Sequence, residues 1–529
     1  MTTPPFPQDT RQSDTRHYLF AGVVLMWAIF FLSGIFSLPL MPPDEPKYAF
    51  AAAKMLETGD FITPTFNCAP RFDKPPLIYW CIAASYKIFG VSDWAARVPS
   101  LLATLGLILL VYRMCRRTLD DRTAYLSVIV FATLLHVWFM GRAVAPEMLL
   151  VFFETAAIFS FSRGLEQGTR WHIRFGYVFT ALAVVTKGPV GLIIPCGIVL
   201  PYFSVKKGVR HTAKRFLDPA GIILFLLIGL PWYALMLRIH GQKYFEEFFL
   251  LHNVYRFTGK ARQHPFRFYY YLPILLGSLY LWLPFSRHIW LHIKKCMRDR
   301  SEELFFLYWA AFVLLFFTIA SNKLHNYILI AYPPVAVLIG SSVRHIVQPG
   351  RSVRNIAAGM AAVEIAALAY GARYLTTLPL SVALGGAGVL CMTLLFIARP
   401  HEVERALLLV VAKGLTLLFT MVLFLAHHNQ QMKLASALVL LEVMFEKDPI
   451  YFYQDESEDI VFYADRCIST LHSREELEEV RQQHDEFVLL VREKHLDDLK
   501  GIQAELTVPF QDIRGRRRYL MEITRRGPG

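Results

Sequence analysis

The stretch YLFAGVVLMWAIFFLSGIFSLPLM, residues 18–41, carries no charge from Tyr18 to Met41. About 20 apolar residues suffice to cross the hydrocarbon core of a bilayer as a helix. Signal-peptide cores are shorter and end in a small-residue cleavage site, so this stretch reads as a retained first transmembrane helix. It sets the reading frame for the rest of the chain. Further apolar runs centre near 96–112, 124–140, 143–161, 175–186, 188–204, 219–237, 269–285, 304–320, 326–342, 355–372, 377–398 and 406–426. Together they predict a mainly α, polytopic membrane protein of about thirteen transmembrane helices.

Composition agrees. The chain of 529 residues is 55% hydrophobic and only 18% charged, where soluble domains hold roughly 25% charged residues. The net charge of +13 sits in short loops between the apolar runs. That placement reads as membrane topology and anionic headgroups, not nucleic acid. Every second loop is basic: Arg113, Arg116, Arg117 and Arg122, then Lys206, Lys207 and Arg210, then Lys294, Lys295 and Arg298. By the positive-inside rule the N-terminus is cytoplasmic, and an odd number of spans puts the C-terminus outside.

The opposite loops, 42–95 and 238–267, hold the unusual residues. Residues 44–58 read as a helix opening on Asp44 and Glu45, which suits the positive end of a helix dipole. Residues 75–90 read as a second, amphipathic helix with Pro75 at its start. From about Gln431 charges of both signs return. Ile460–Tyr463, Glu486–Val491 and Tyr519–Ile523 read as strands, and 473–484 and 492–500 as helices. The chain therefore divides into a membrane unit, 1–430, and a small extracytoplasmic α/β domain, 431–529. The seven cysteines show neither CxxC nor metal spacing. Cys68 and Cys467 both fall outside the cytoplasm; they could pair, but they read first as two unrelated thiols. There is no phosphate-binding glycine loop, which argues against an ATP-driven pump.

The chemistry-bearing residues gather in the outer segments. Asp44 and Glu147 are carboxylates at one membrane depth, and ionisable groups there are costly and usually functional. The bland alternatives are a solvated helix start for Asp44 and an ion pair with Arg142 for Glu147. Lys74, before two prolines, fixes a cation at the interface and suits a phosphate. Its bland reading is a snorkelling side chain. Lys187 stands at the helix-breaking Gly188-Pro189 and can point into an outer cavity. Residues 252–267 interleave His252, Arg256, Arg262 and His264 with aromatics, as an anionic-lipid site or an interfacial belt would.

The segments DEPKYA (44–49), GDFITPTFN (59–67), RFDKPPLIYW (71–80), RAVAPEM (142–148), TKGP (186–189), HNVYRF (252–257), HPFRFYYYLP (264–273) and SNKLHNYILIAYPP (321–334) come in a telling order. In that order they resemble the bacterial aminoarabinose transferases of lipid A modification, relatives of the protein O-mannosyltransferases within the GT-C glycosyltransferase architecture. The resemblance covers about the first 340 residues. It implies inverting transfer of a sugar from undecaprenyl phosphate, with Asp44 the main active-site carboxylate and Glu147 the second. It places Lys47, Tyr48, Lys74, Lys187, Arg256 and Tyr327 around the donor and its phosphate. It leaves room for a divalent metal such as zinc, held by Asp73 and His252. The chain departs from the family in having Lys47 for arginine, Asp73 for glutamate and Glu147 for aspartate. The implied partners are a polyprenyl-phosphate-linked sugar, lipid A or another envelope glycolipid as acceptor, and membrane lipids, with no nucleic acid and a monomeric chain. The implied place is the bacterial inner membrane, facing the periplasm. A protein or glycan O-glycosyltransferase of the same architecture is one alternative; a lipid-linked sugar flippase is another, and it expects charges at the bilayer midplane. A scaffold subunit of an envelope complex is a third reading.

Overall fold

The computed structural model describes residues 35–371 and 449–524 apart from short gaps, among them 256–257 and 260–266, with scattered residues from 385 to 420 between. The spans expected at 18–41, 377–398 and 406–426 lie wholly or largely outside the described residues.

Helix α1, Asp44–Thr58, carries Asp44 and Glu45 in its first turn and stops at Gly59, whose φ of 74° is left-handed. Buried Glu45 anchors its start: its carboxylate accepts from Met41 N at 2.8 Å, Arg97 at 3.0 Å and Val144 N at 3.0 Å. A two-residue hairpin follows, β1 (Thr65–Phe66) with β2 (Ala69–Pro70), turning through Asn67 and Cys68 at positive φ. Helix α2, Leu77–Phe89, begins right after Pro75-Pro76, because proline fits a first helical turn and little else in a helix.

The membrane unit continues through α3 (Asp93–Thr118), α4 (Asp121–Ala132), α5 (Leu135–Met140), α6 (Glu147–Gln167), α7 (Arg170–Lys187) and α8 (Val190–Lys207). Then come α9 (Val209–Phe216), α10 (Pro219–Gly229), α11 (Pro231–Tyr244) and a π-helix, Phe245–Tyr255. After α12 (Tyr271–Ser278) lie a 3₁₀ turn (Tyr280–Phe285), α13 (Ser286–Asp299) and α14 (Leu304–Ile319). A 3₁₀ turn, His325–Ala331, leads into α15 (Tyr332–Val343), and α16 is Arg351–Gly371. Among the described residues five helices are long and apolar enough to cross a membrane, or six if a pair bent by 112° is one span.

Several runs that read as single spans are broken. Residues 124–140 divide at Thr133, whose hydroxyl donates to the Ile129 and Val130 carbonyls and accepts from Trp282 Nε1 at 3.0 Å. Residues 269–285 divide before the 3₁₀ turn holding Pro284. Residues 238–255, read as a loop, are helical. The core is aromatic, with Trp138, Trp282, Trp309, Phe131 and Phe161 all sealed from solvent.

Residues 450–524 build a five-stranded mixed sheet. Its strands are β3 (Ile450–Tyr453), β4 (Ser469–Leu471), β5 (Glu486–Arg492), β6 (Leu506–Gln511) and β7 (Arg517–Thr524), in the order β4-β3-β5-β7-β6. The first three run parallel and the last two pair antiparallel. Alternation along β5 divides the core, as a period of two requires. Val488 and Leu490 face one cluster, and Phe487, Leu489 and Val491 the other. Ile460–Tyr463, expected as a strand, lies instead in helix α17, Glu458–Ala464. Glu458 and Asp459 favour a helix start, and Ile460 and Val461 cover the sheet. Phe50 of α1 enters the same cluster. Helix α18 is Arg474–Gln483, and 493–499 form a 3₁₀ turn.

Cys68 and Cys467 are joined in a disulfide with Cα atoms 5.7 Å apart, which corrects their reading as unrelated thiols. Partners 399 residues apart meet only because the hairpin abuts the sheet. Asn67 donates to the Ile468 carbonyl at 2.8 Å and accepts from Ile468 N at 2.7 Å.

Candidate active site

Two glycines place Lys187. It is the last residue of α7, and Gly188 turns the chain away at φ 86°. At Gly191 a Cβ would stand 2.4 Å from the Ala183 carbonyl carbon. Only glycine lets α8 approach the α7 backbone this closely. The turn carries Lys187 Nζ to 2.8 Å from Glu147 Oε1, at the first residue of α6. Asn326 donates to the same oxygen at 2.7 Å, and the Tyr327 ring lies 5.2 Å from Lys187 Nζ. Both members of the pair are largely buried. Glu147 thus pairs with Lys187 and not with Arg142, whose guanidinium stacks on Trp138.

A second ion cluster faces the first. Arg71 grips Asp73 with two bonds, Nε to Oδ1 at 2.5 Å and Nη2 to Oδ2 at 2.9 Å. Lys74 Nζ is 3.7 Å from Asp73 Oδ2 and donates to the Asp73 carbonyl at 3.1 Å. Burial pushes the Asp73 carboxyl up, but Arg71 and Lys74 outweigh it and hold it below the usual carboxylate range. Below them Tyr48 lies buried, its ring 4.5 Å from the Arg71 guanidinium. Burial raises that phenol above its ordinary value.

Between the clusters is a cavity of about 400 Å³. Asp73, Lys74, Glu147, Lys187, His252 and Tyr327 line it, with Leu150, Val151, Ile193, Phe316 and Ile330 as apolar wall. Six of the residues singled out in the sequence therefore share one hollow. Asp44, Lys47 and Tyr48 do not line it. Asp44 is exposed at the start of α1. It lies within electrostatic reach of Tyr79 and His325, and His325 also senses Glu147 and Lys187. Tyr48 sits behind Arg71. Lys47 is turned toward the sheet, 3.3 Å from Glu458. Arg256 lies outside the described residues.

The suggested metal ligands do not fit a divalent cation. Both Asp73 oxygens already accept from Arg71, and Lys74 adds a second positive charge beside them. Another cation there would meet repulsion.

Sequence reading missed two features. Glu154, two turns along α6 from Glu147, lines the cavity at 1% exposure. Its Oε1 accepts no hydrogen bond among the described residues. The signal was a carboxyl inside the apolar run 143–161. The other is a chain of rings: His325 Nδ1 is 3.1 Å from His136 Nε2, and His136 Nδ1 is 2.9 Å from the Tyr332 hydroxyl. A histidine inside the run 124–140 was its only trace.

Residues 73–234 match the family described as dolichyl-phosphate-mannose-protein mannosyltransferase. An uncharacterized protein of Aquifex aeolicus is 39% identical over 319 residues, 60% of this chain and 71% of that one. The undecaprenyl phosphate-alpha-4-amino-4-deoxy-L-arabinose arabinosyl transferase of Edwardsiella ictaluri is 32% identical over 343 residues, 63% of this chain. That match spans 62% of the relative's own length, less than two thirds. The crystal structure of ArnT from Cupriavidus metallidurans bound to undecaprenyl phosphate superposes with a TM-score of 0.78 at 21% identity, covering 97% of this chain and 99% of that one. At that identity the likeness is one of fold.

Proposed function

We propose that the chain is a GT-C glycosyltransferase that moves a sugar from a polyprenyl-phosphate carrier to an acceptor at the outer face of the bacterial inner membrane, a reading supported by its mannosyltransferase-family match over residues 73–234 and by its arabinosyl transferase relatives. The observation that carries this reading is the cavity itself. Lys74 and Lys187 come to it from separate segments, beside the carboxylates of Asp73, Glu147 and Glu154 and against an apolar wall. A lipid phosphate is an anion with a hydrocarbon tail, and this lining matches both parts.

In the transfer the acceptor oxygen forms a new bond to sugar C1 as the C1–O bond to phosphate breaks, and polyprenyl phosphate leaves with the electron pair. Lys74 stabilises the charge developing on that leaving group, where a placed cation acts most strongly. Lys187, held by Glu147, whose carboxylate Asn326 also grips, supplies the second positive charge of the cavity. Asp44 acts from the outer rim. A hydroxyl acceptor gives its proton to Asp44 as general base, a contribution of about 10²–10⁴ in rate. A phosphate acceptor is already anionic, and Asp44 then orients it and supports the positive charge on the sugar ring.

The sugar and acceptor we infer are 4-amino-4-deoxy-L-arabinose and lipid A, as in the name of the Edwardsiella relative and the family resemblance. N-terminus in, C-terminus out is the matching orientation. The test is direct. Purified protein is incubated with polyprenyl-phosphate aminoarabinose and lipid A, and products are followed by mass spectrometry. Transfer yields free polyprenyl phosphate and a glycosylated acceptor. Relocation of intact donor across a vesicle, with no product, means a flippase and rejects the proposal.

A further inference from the structure

On the opposite, basic-loop side of the membrane unit, His292 and Cys296 lie four residues apart on α13, a spacing that stacks them on one helix face. Arg300, at φ 49°, turns the chain back after α13, and Glu303 returns over that face at the start of α14. His292 Nε2 is 3.3 Å from Cys296 Sγ and 3.9 Å from Glu303 Oε1. One ligand atom from each lies within 4.8 Å of the other two. Cys296 is 2% and Glu303 8% exposed. Ser341 of α15 donates to Glu303 Oε1 at 2.9 Å.

From this geometry we propose that His292, Cys296 and Glu303 form a zinc site pinning the bend between α13 and α14. Imidazole, thiolate and carboxylate are the ligand types zinc takes, and three of them leave a fourth position for water. On binding, Cys296 releases its thiol proton to the buffer. The thiolate and the Glu303 carboxylate then cancel the two charges of the ion, so the buried cluster carries no net charge. That neutrality matters where an unmatched charge is expensive. Among the described ion pairs His292 is the only basic group brought to Glu303. Ser341 orients the carboxylate from a third helix, as outer partners of metal ligands do.

The full-length protein in detergent is stripped with chelator and titrated with Co²⁺. The proposal expects one equivalent to bind, with a near-ultraviolet thiolate-to-cobalt band and the visible bands of a four-coordinate ion, both abolished by Zn²⁺. Cys296→Ser removes the ultraviolet band. Ser341→Ala, a mild change that keeps all three ligands, lowers Co²⁺ affinity about 10–100-fold. The proposal is overturned if no ultraviolet band forms, if the band survives Cys296→Ser, or if Ser341→Ala leaves affinity unchanged. The readout is independent of glycosyl transfer, so its failure and the failure of the proposed function are separate results.

Discussion

Lys187 Nζ stands 2.8 Å from Glu147 Oε1, joining the last residue of one apolar helix to the first residue of another. The pair is buried against the cavity wall, and Asn326 shares the same oxygen. Breaking one side of such a pair leaves a charge without its partner in a poorly solvated place.

Lys187→Met is therefore expected to cost about 3–5 kcal/mol of stability. Glu147→Gln strands Lys187 and is expected to cost a similar amount. The double variant removes both charges and recovers much of the loss. Unfolding of the detergent-solubilised protein measures all three, and single variants within about 0.5 kcal/mol of wild type would contradict the buried-pair account.

Asp44 is the opposite case, being exposed. Asp44→Asn is expected to leave stability within about 0.5 kcal/mol, as surface changes do. Transfer is expected to fall by at least about 10²-fold if a base is lost. Near-full turnover would remove Asp44 from the mechanism. Parallel unfolding and initial-rate measurements separate the two effects.

Asp73 gives a pH signature. Burial raises its carboxyl, and Arg71 and Lys74 pull it further the other way, so the folded value lies below the unfolded one. A depressed carboxyl contributes stability that is complete above the unfolded pKa, near 3.9. That contribution is lost as pH falls through the folded value. The stability gap between wild type and Asp73→Asn is thus expected to be widest at neutral pH and to narrow from about pH 4 downward. A gap that widens in acid would reverse the sign of the argument.

Cys68→Ala removes the cross-link between the hairpin and the sheet. Loss of a disulfide typically costs about 2–4 kcal/mol, and the variant's unfolding midpoint is expected to fall accordingly. Wild type is expected to shift on a non-reducing gel when thiols are regenerated, and the variant is not. Equal mobility of wild type with and without reductant would refute the link.

What the sequence disclosed depended on how local the signal was. Helix α1 emerged with its bounds because Asp44 and Glu45 open it and Gly59 closes it. The strand expected at 486–491 announced itself through the unbroken apolar run Phe487–Val491. Ile460–Tyr463 misled because a short β-branched run has no period of its own, and its helix rests on a sheet distant in the chain. Thr133 broke a span through a bond to Trp282 that no window could contain. Lys47 illustrates the same limit at the site. Its neighbour Asp44 and its place in DEPKYA suggest the donor, but Glu458 claims it from 411 positions away. Cavity residues such as Lys74 and Lys187 were legible because proline and glycine beside them force their direction locally.

Helix α1 is shared property. Its first residue, Asp44, is exposed and lies within electrostatic reach of His325. Lys47 and Lys54 farther along reach Glu458 and Asp465 of the folded C-terminal part, and Phe50 is wedged into that part's core. A helix translates and rotates as a rod. A load on the C-terminal sheet is therefore expected to reach Asp44 through this one helix.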